Sequence, residues 1–187
     1  VNSLKKIISQ LLDKTMAMSA ILASTASLNL PAYASITAEN MNVSANITAN
    51  CSLSNTDLNF GDYDATGINR SRDLLATATI STTCTSGATG VVTMSIGDHS
   101  LYCVSSSCHR RMKGAGDTDF LRYNIYTDES LNFSAVWNHD VKQMGSVAQV
   151  VGNGLSQDMT VYGKIPKNQK YAAAGSYSDT ITITLTY

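Results

Sequence analysis

The last segment of the chain has the most restrictive pattern in the sequence. From Ile181 to Tyr187, apolar residues alternate strictly with threonine. A period of two places the apolar side chains on one face, and Ile and Thr favour strands, so we expect a half-buried β-strand here. A strand needs partner strands for its backbone groups, and the pattern therefore predicts a sheet protein.

The same period recurs along much of the chain. Met41, Val43, Ala45 and Ile47 share one face, with polar residues between them. Further strands are predicted in residues 74–83, 91–96, 120–126, 135–137, 146–151 and 159–162. Residues 97–119 and 163–175 are polar and turn-rich, and we expect loops there. Many short strands separated by turns predict an all-β sandwich or barrel of antiparallel strands.

The first 34 residues have the features of an export signal. A basic start with Lys5, Lys6 and Lys14 precedes an uncharged run, and Ala32-Tyr33-Ala34 supplies small residues at the exit. The apolar run is shorter than the ~20 residues that span a bilayer. We therefore predict a signal peptide at residues 1–34, export through the periplasm, and no stable membrane insertion.

The charge balance of the remaining chain argues against two classes of partner. Residues 35–187 contain ten Lys and Arg against thirteen Asp and Glu. A slightly acidic domain gives no electrostatic reason to bind nucleic acid or anionic membranes. We expect one domain of modest size.

Four cysteines follow the signal: Cys51, Cys84, Cys103 and Cys108. An even number in an exported protein indicates disulfides, and three pairings are possible in principle. Cys103 and Cys108 are close enough in sequence to close a local hairpin, which would leave Cys51 with Cys84. A metal site built from Cys103, Cys108 and His109 is disfavoured, because no second pair has zinc-finger spacing and oxidation competes outside the cytosol.

The two ends of the expected domain suggest an exchange of strands between subunits. The final strand would leave an open edge if one side lacked a partner, and an open edge is a template for a strand of another chain. Residues 36–45 alternate and directly follow the signal. A free strand and an open edge together permit strand addition, although pairing within one domain fits the pattern equally well.

Five stretches resemble the spore coat protein U family, which includes the pilin subunits of archaic chaperone–usher pili. They occur in the family's order and cover essentially the whole exported part. The stretches are residues 58–63 (LNFGDY), 111–112 (RM), 121–128 (LRYNIYTD), 161–166 (VYGKIP) and 174–187 (AGSYSDTITITLTY).

The resemblance implies an incomplete immunoglobulin-like β-sandwich in residues 48–187, preceded by a donor-strand extension in residues 35–47. It implies Met41, Val43, Ala45 and Ile47 as donor positions, and Ile181, Ile183 and Leu185 as the acceptor groove. Cys51 and Cys84 match the family's disulfide between the first two strands, whereas Cys103 and Cys108 match no shared feature. The implied partners are other pilin subunits, a periplasmic chaperone and an outer-membrane usher.

From these features we expect a structural subunit of an extracellular pilus, supporting surface attachment and biofilm formation. The alternative is a spore-coat-like or adhesive binding module that no usher assembles, with the loops around Cys103, Cys108 and Trp137 as its contact surface. An enzyme is not expected, because the three histidines have no catalytic spacing and no nucleophile-elbow glycines surround residues 105–107. No cofactor or metal is expected.

Overall fold

The structure is a computed structural model that describes residues 34–187, except residues 105–106 and 139–145. The side chains of residues 101–104 and 107–108 also lie outside the description. The predicted signal peptide falls almost entirely outside the described residues and stays a prediction. Residues 1–44 and 45–187 form two separate units.

The described part of the first unit, residues 34–44, contains neither helix nor strand, and its side chains are exposed. In the second unit, residues 45–50 have the same character. The period-two pattern of residues 41–47 predicts a strand, and none forms within this single chain, so pairing inside its own domain is not observed. The role of the segment as a donor strand stays a prediction. A strand is defined by its hydrogen-bonded partner, and an alternating sequence does not supply one.

In the part of residues 51–187 that the structure describes, the chain forms nine strands in two sheets. The strands are β1 (Cys51–Asn55), β2 (Leu74–Cys84), β3 (Thr89–Met94), β4 (Leu101–Val104), β5 (Ser107–Lys113), β6 (Phe120–Tyr126), β7 (Ala148–Val151), β8 (Ser156–Ile165) and β9 (Ile183–Thr186). Two single 3₁₀ turns occur at Ile68–Arg70 and Phe133–Ala135. The all-β prediction is confirmed.

Every strand pair in the two sheets is antiparallel. One sheet has the order β1-β2-β8-β6-β5-β4, and the other has the order β7-β3-β9. Strands β2 and β8 form the longest ladder, which runs from the Leu74–Ile165 pair to the Thr83–Ser156 pair. This ladder defines the long axis of the domain.

The core lies between the two sheets, so the domain is a sandwich. Ile80 of β2, Val161 of β8 and Val92 of β3 are buried in one hydrophobic cluster. Alternate residues of β2, from Ala78 to Cys84, point into the core, as a period of two requires. Trp137 is buried, and its indole N–H donates to the carbonyl of Val92.

The structure corrects several predicted elements. Residues 97–119, predicted to be a loop, contain β4 and β5. The residues of β5 are mostly polar or charged and show little apolar alternation, and β4 is only four residues long within a turn-rich stretch. Residues 135–137 end a 3₁₀ turn instead of forming a strand, and β8 extends to Ile165, into the predicted loop. The final strand is shorter than predicted, because the ladder to β3 begins at Ile183.

Candidate functional site

A cavity of about 300 Å³ opens between the two sheets. Its floor is apolar and comes from strands of both sheets: Ala78, Ile80, Met94, Met112, Tyr123, Ile125 and Val161. Two segments form its rims, residues 55–60 on one side and residues 177–183 on the other. A sandwich normally fills such space with its own side chains, so an open apolar cavity indicates a site for an added element.

The first rim is the chain that leaves β1. Thr56 continues the β1–β2 ladder, since its N–H donates to Thr79 O at 2.9 Å. Leu58 and Phe60 then turn inward and pack on Gly163 of β8. A Cβ at Gly163 would lie 2.7 Å from the Phe60 ring, so a larger residue here would require the Leu58 and Phe60 side chains to shift.

The second rim includes the start of β9, which is an edge strand. Within the described residues, β9 pairs with β3 alone. Before β9 begins, Ser178 exchanges two backbone hydrogen bonds with Lys113 at the end of β5, at 2.8 and 3.0 Å. On one side, this segment therefore hydrogen-bonds first to β5, at Ser178, and then to β3.

The hydrogen-bond pattern shows which backbone groups of the rim remain available. The N–H of Ser95 donates to Thr182 O at 2.8 Å, and the N–H of Thr182 donates to Ser95 Oγ at 2.9 Å, so both backbone groups of Thr182 face β3 as in a hydrogen-bonded pair. Such pairs alternate in an antiparallel ladder, so Thr184 also directs its N–H and C=O to β3. The N–H and C=O groups of Ile181, Ile183 and Leu185 therefore point toward the open edge.

A buried arginine holds the end of β3 beside this rim. Arg110 of β5 has no exposed surface. Its Nη2 donates to the carbonyls of Met94, Ser95 and Trp137, and its Nε donates to Ser95 as well. Burial lowers the pKa of the guanidinium to about 10, since a dry site disfavours charge.

A nearly buried carboxylate anchors the rim itself. The Asp179 side chain is only 2% exposed. It accepts hydrogen bonds from the Tyr123 hydroxyl at 2.7 Å and from the backbone N–H groups of Asp98 and His99. His99 Nδ1 lies 3.3 Å from the same carboxylate.

The Asp179 carboxylate also contributes to the environment of Tyr123. Burial raises the pKa of Tyr123 well above its usual value, and the hydrogen bond to Asp179 raises it further. Its ring also meets Phe60 of the opposite rim edge-on, with the ring centroids 6.1 Å apart. Tyr123 therefore contacts both rims of the groove.

The predicted site residues fall in different places. Ile181 and Ile183 line the cavity, whereas Leu185 packs against the core from the same face of the segment and is not among the lining residues. Met41, Val43, Ala45 and Ile47 are all exposed. Their role as donor positions stays a prediction.

The structure contains the disulfide between Cys51 and Cys84, whose residues pair directly in the β1–β2 ladder. Cys103 and Cys108 lie on the neighbouring strands β4 and β5. Their side chains are outside the described part, so the second disulfide stays a prediction. Trp137, which the alternative binding surface included, is in the core.

Sequence reasoning missed Arg110, Asp179 and Gln169, since each is a single polar residue in a polar stretch. A weak signal existed for Asp179, which interrupts the Tyr177–Tyr187 strand pattern with a charge. In the described residues, no cluster of His, Cys, Asp or Glu could hold a metal ion. Those residues also include no helix that is both long and apolar enough for a membrane span.

The family model for the Spore Coat Protein U domain matches residues 37–184. The chain belongs to the Spore Coat Protein U domain family. Protein U of Myxococcus xanthus is 33% identical over 182 residues, which cover 90% of this chain and 97% of that protein. Membership in the Spore Coat Protein U domain family agrees with the expectation of a structural, non-enzymatic protein.

One solved structure with a similar chain is the chaperone–tip adhesion subunit pre-assembly complex CsuC–CsuE from the archaic chaperone–usher Csu pili of Acinetobacter baumannii. The TM-score is 0.46 and the sequence identity is 20%. The match covers 75% of this Spore Coat Protein U domain chain and 40% of the other chain.

Proposed function

We propose that this protein is a structural subunit of an extracellular pilus, assembled by exchange of a donor strand through a chaperone–usher pathway. Residues 1–34 would be its signal peptide, residues 35–47 its donor extension and residues 48–187 its sandwich domain. Attachment to surfaces and biofilm formation would be the purpose of the fibre.

The observation that carries the proposal is the pairing of an apolar cavity with an open strand edge. The cavity accepts side chains, while Ile181, Ile183 and Leu185 direct free backbone groups to the same opening. One extended strand can satisfy both requirements, since it hydrogen-bonds along its edge and points alternate side chains inward.

The proposed donor extension, residues 35–47, has properties that complement the cavity and the open strand edge. Met41, Val43 and Ile47 are 83–88% exposed, and they share one face with Ala45. Burying four such side chains in a second copy would stabilise the link by roughly 6–12 kcal/mol before the cost of ordering. Until the donor arrives, a periplasmic chaperone would cover the groove, and an outer-membrane usher would catalyse the exchange.

The decisive experiment uses the exported protein and a deletion of residues 35–45. We expect the intact protein to form fibres and the deletion variant to remain monomeric, since it keeps the groove but lacks the donor. Electron microscopy and size-exclusion chromatography measure this difference. Fibres from the deletion variant would contradict the assignment of the donor.

A peptide of residues 36–47 provides the matched control. Added to the deletion variant at about 100 times its Kd, it should increase the free energy of unfolding by about 2.7 kcal/mol. A peptide with Asn40, Asn42 and Asn46 replaced by serine should act equally well, because these residues would face outward. Replacement of Met41, Val43 and Ile47 by asparagine should abolish the effect.

A further inference from the structure

The sandwich has two chemically distinct ends along its long axis. The proximal end contains the Cys51–Cys84 disulfide, the 152–154 turn that bonds to residues 84–88, and Tyr187, whose hydroxyl donates to Asn50. The distal end contains the 63–73 and 166–177 loops, which are joined by the bond from Asn168 N–H to Asn69 O. The extension is continuous with the proximal end.

Large apolar side chains are exposed at both ends. Val151, Leu155 and Tyr187 are exposed at the proximal end, and Leu155 is 68% exposed. Ile68 and Tyr171 are exposed at the distal end, and Tyr171 is 89% exposed. Leu75, near the start of β2, is a further distal example. Exposed apolar groups gathered in this way indicate contact surfaces.

The chain length between donor and domain brings two copies close together. Ile47 is the last donor position, and Cys51 is fixed to β2 by its disulfide. Four residues span at most about 14 Å when fully extended. A donor seated in one copy therefore holds the proximal end of its own domain near the mouth of that groove.

The direction of the donor decides which end of the accepting copy it meets. Glu39 lies on the same face as Met41 and Val43. In a strand parallel to β9, with Met41 opposite Ile181, Glu39 would face the nearly buried Asp179, and like charges would repel. An antiparallel strand places Ile47 opposite Ile181 and leaves Glu39 in solvent beyond Leu185.

We propose that, in the fibre assembled as above, the proximal end of one copy packs on the distal end of the next. Val151, Leu155 and Tyr187 of one copy would contact Ile68 and Tyr171 of its neighbour. The inference rests on the proposed function, since the donor strand brings the ends together. The contact is heterologous and does not close on itself, so it propagates along a fibre.

Cysteine cross-linking in the full-length exported protein tests this arrangement. The double variant Tyr171→Cys/Leu155→Cys should give a ladder of covalent dimers and larger species when its fibres are treated with a short bis-maleimide. Each single variant and the unsubstituted protein should give no ladder. Tyr171 and Leu155 are both exposed, so folding should be retained.

The outcomes separate the two proposals. Fibres of the double variant without cross-links would overturn the end contact and leave donor-strand assembly intact. Cross-linked dimers from Leu155→Cys alone would mean that two proximal ends meet, which requires a parallel donor and also overturns the contact. If the unsubstituted protein forms no fibres, both proposals fail together.

Discussion

Two stretches of strand backbone that lack a neighbouring strand differ in whether a side chain covers them. At Arg122, β6 runs beyond its ladder with β8, and one side chain covers the backbone there. Gln169 accepts from Arg122 N–H at 2.8 Å and donates to Arg122 O at 2.9 Å, as a neighbouring strand would. The edge of β9 has no such cover within the described residues.

Strands β1, β4 and β7 also have a single strand neighbour within the described residues, so the contrast with β6 concerns the position of the uncovered edge, which at β9 borders the cavity. Exposed edges promote aggregation, and proteins commonly protect them by side chains, charges or loops. This chain protects β6 with an amide from a loop and leaves the edge beside the cavity open. We infer that the β9 edge is kept for a partner strand.

The largest predicted effect comes from the residue that supports the open rim. Arg110→Met leaves the carbonyls of Met94, Ser95 and Trp137 without their buried donor, and we expect a loss of about 3–5 kcal/mol in the free energy of unfolding. Denaturant titration measures it. Arg122→Met, whose side chain is exposed, is the control and should change stability by under about 0.5 kcal/mol. Equal effects of the two substitutions would contradict the role of Arg110.

A proline scan along β9 separates the open side from the paired side. Ile183→Pro removes an N–H that points to the open edge, so it should weaken binding of the 36–47 peptide about tenfold or more while the domain stays folded. Thr184→Pro removes an N–H directed at β3 and should lower the unfolding midpoint more strongly. Calorimetry and thermal melts measure the two quantities. Unchanged peptide binding by Ile183→Pro would exclude pairing at this edge.

The buried Tyr123 hydroxyl, which donates to Asp179 at the second rim, predicts a change in the stability of the fold at high pH. The raised pKa of Tyr123 means that the folded protein keeps a proton that the unfolded chain loses above about pH 10, so this group destabilises the fold as pH rises. Arg110, with its pKa lowered to about 10, has the opposite sign in the same range.

The measurement should therefore compare the free energies of unfolding of two proteins as the pH rises. The stability of Tyr123→Phe relative to the unsubstituted protein should increase by about 1.4 kcal/mol per pH unit above pH 10. Parallel curves for Tyr123→Phe and the unsubstituted protein would contradict the burial of this hydroxyl.

The smallest effect should come from uncovering the protected edge. Gln169→Ala removes the two bonds to Arg122 and should cost about 1–2 kcal/mol. It should also increase aggregation of the deletion variant that lacks residues 35–45, as light scattering would show. Lys170→Ala is the neighbouring control. Unchanged scattering after Gln169→Ala would mean that this edge needs no protection.

The fold class could be predicted from local patterns, but the exact strands could not. Alternation identified β2, β3, β6 and the region of β9, because burial of one face leaves a period of two in the sequence. Strand β5 was missed, since Arg110 is buried among charged neighbours and breaks the apolar pattern, and β4 was missed because its four residues lie within a turn-rich stretch. Ile181 and Ile183 line the cavity, and their role as acceptor positions stays a prediction, whereas the anchors Arg110, Asp179 and Gln169 were not found.

By itself, the sequence determined which faces are apolar, that an even set of cysteines follows a leader-like segment, and that alternating segments occur at both ends of residues 36–187. Those properties follow from side-chain chemistry and local period. Only the tertiary structure decided which strand edge lacks a partner, because this depends on which strands lie side by side in the fold. The order of strands across the two sheets, set by contacts between distant residues, leaves β9 with one neighbour.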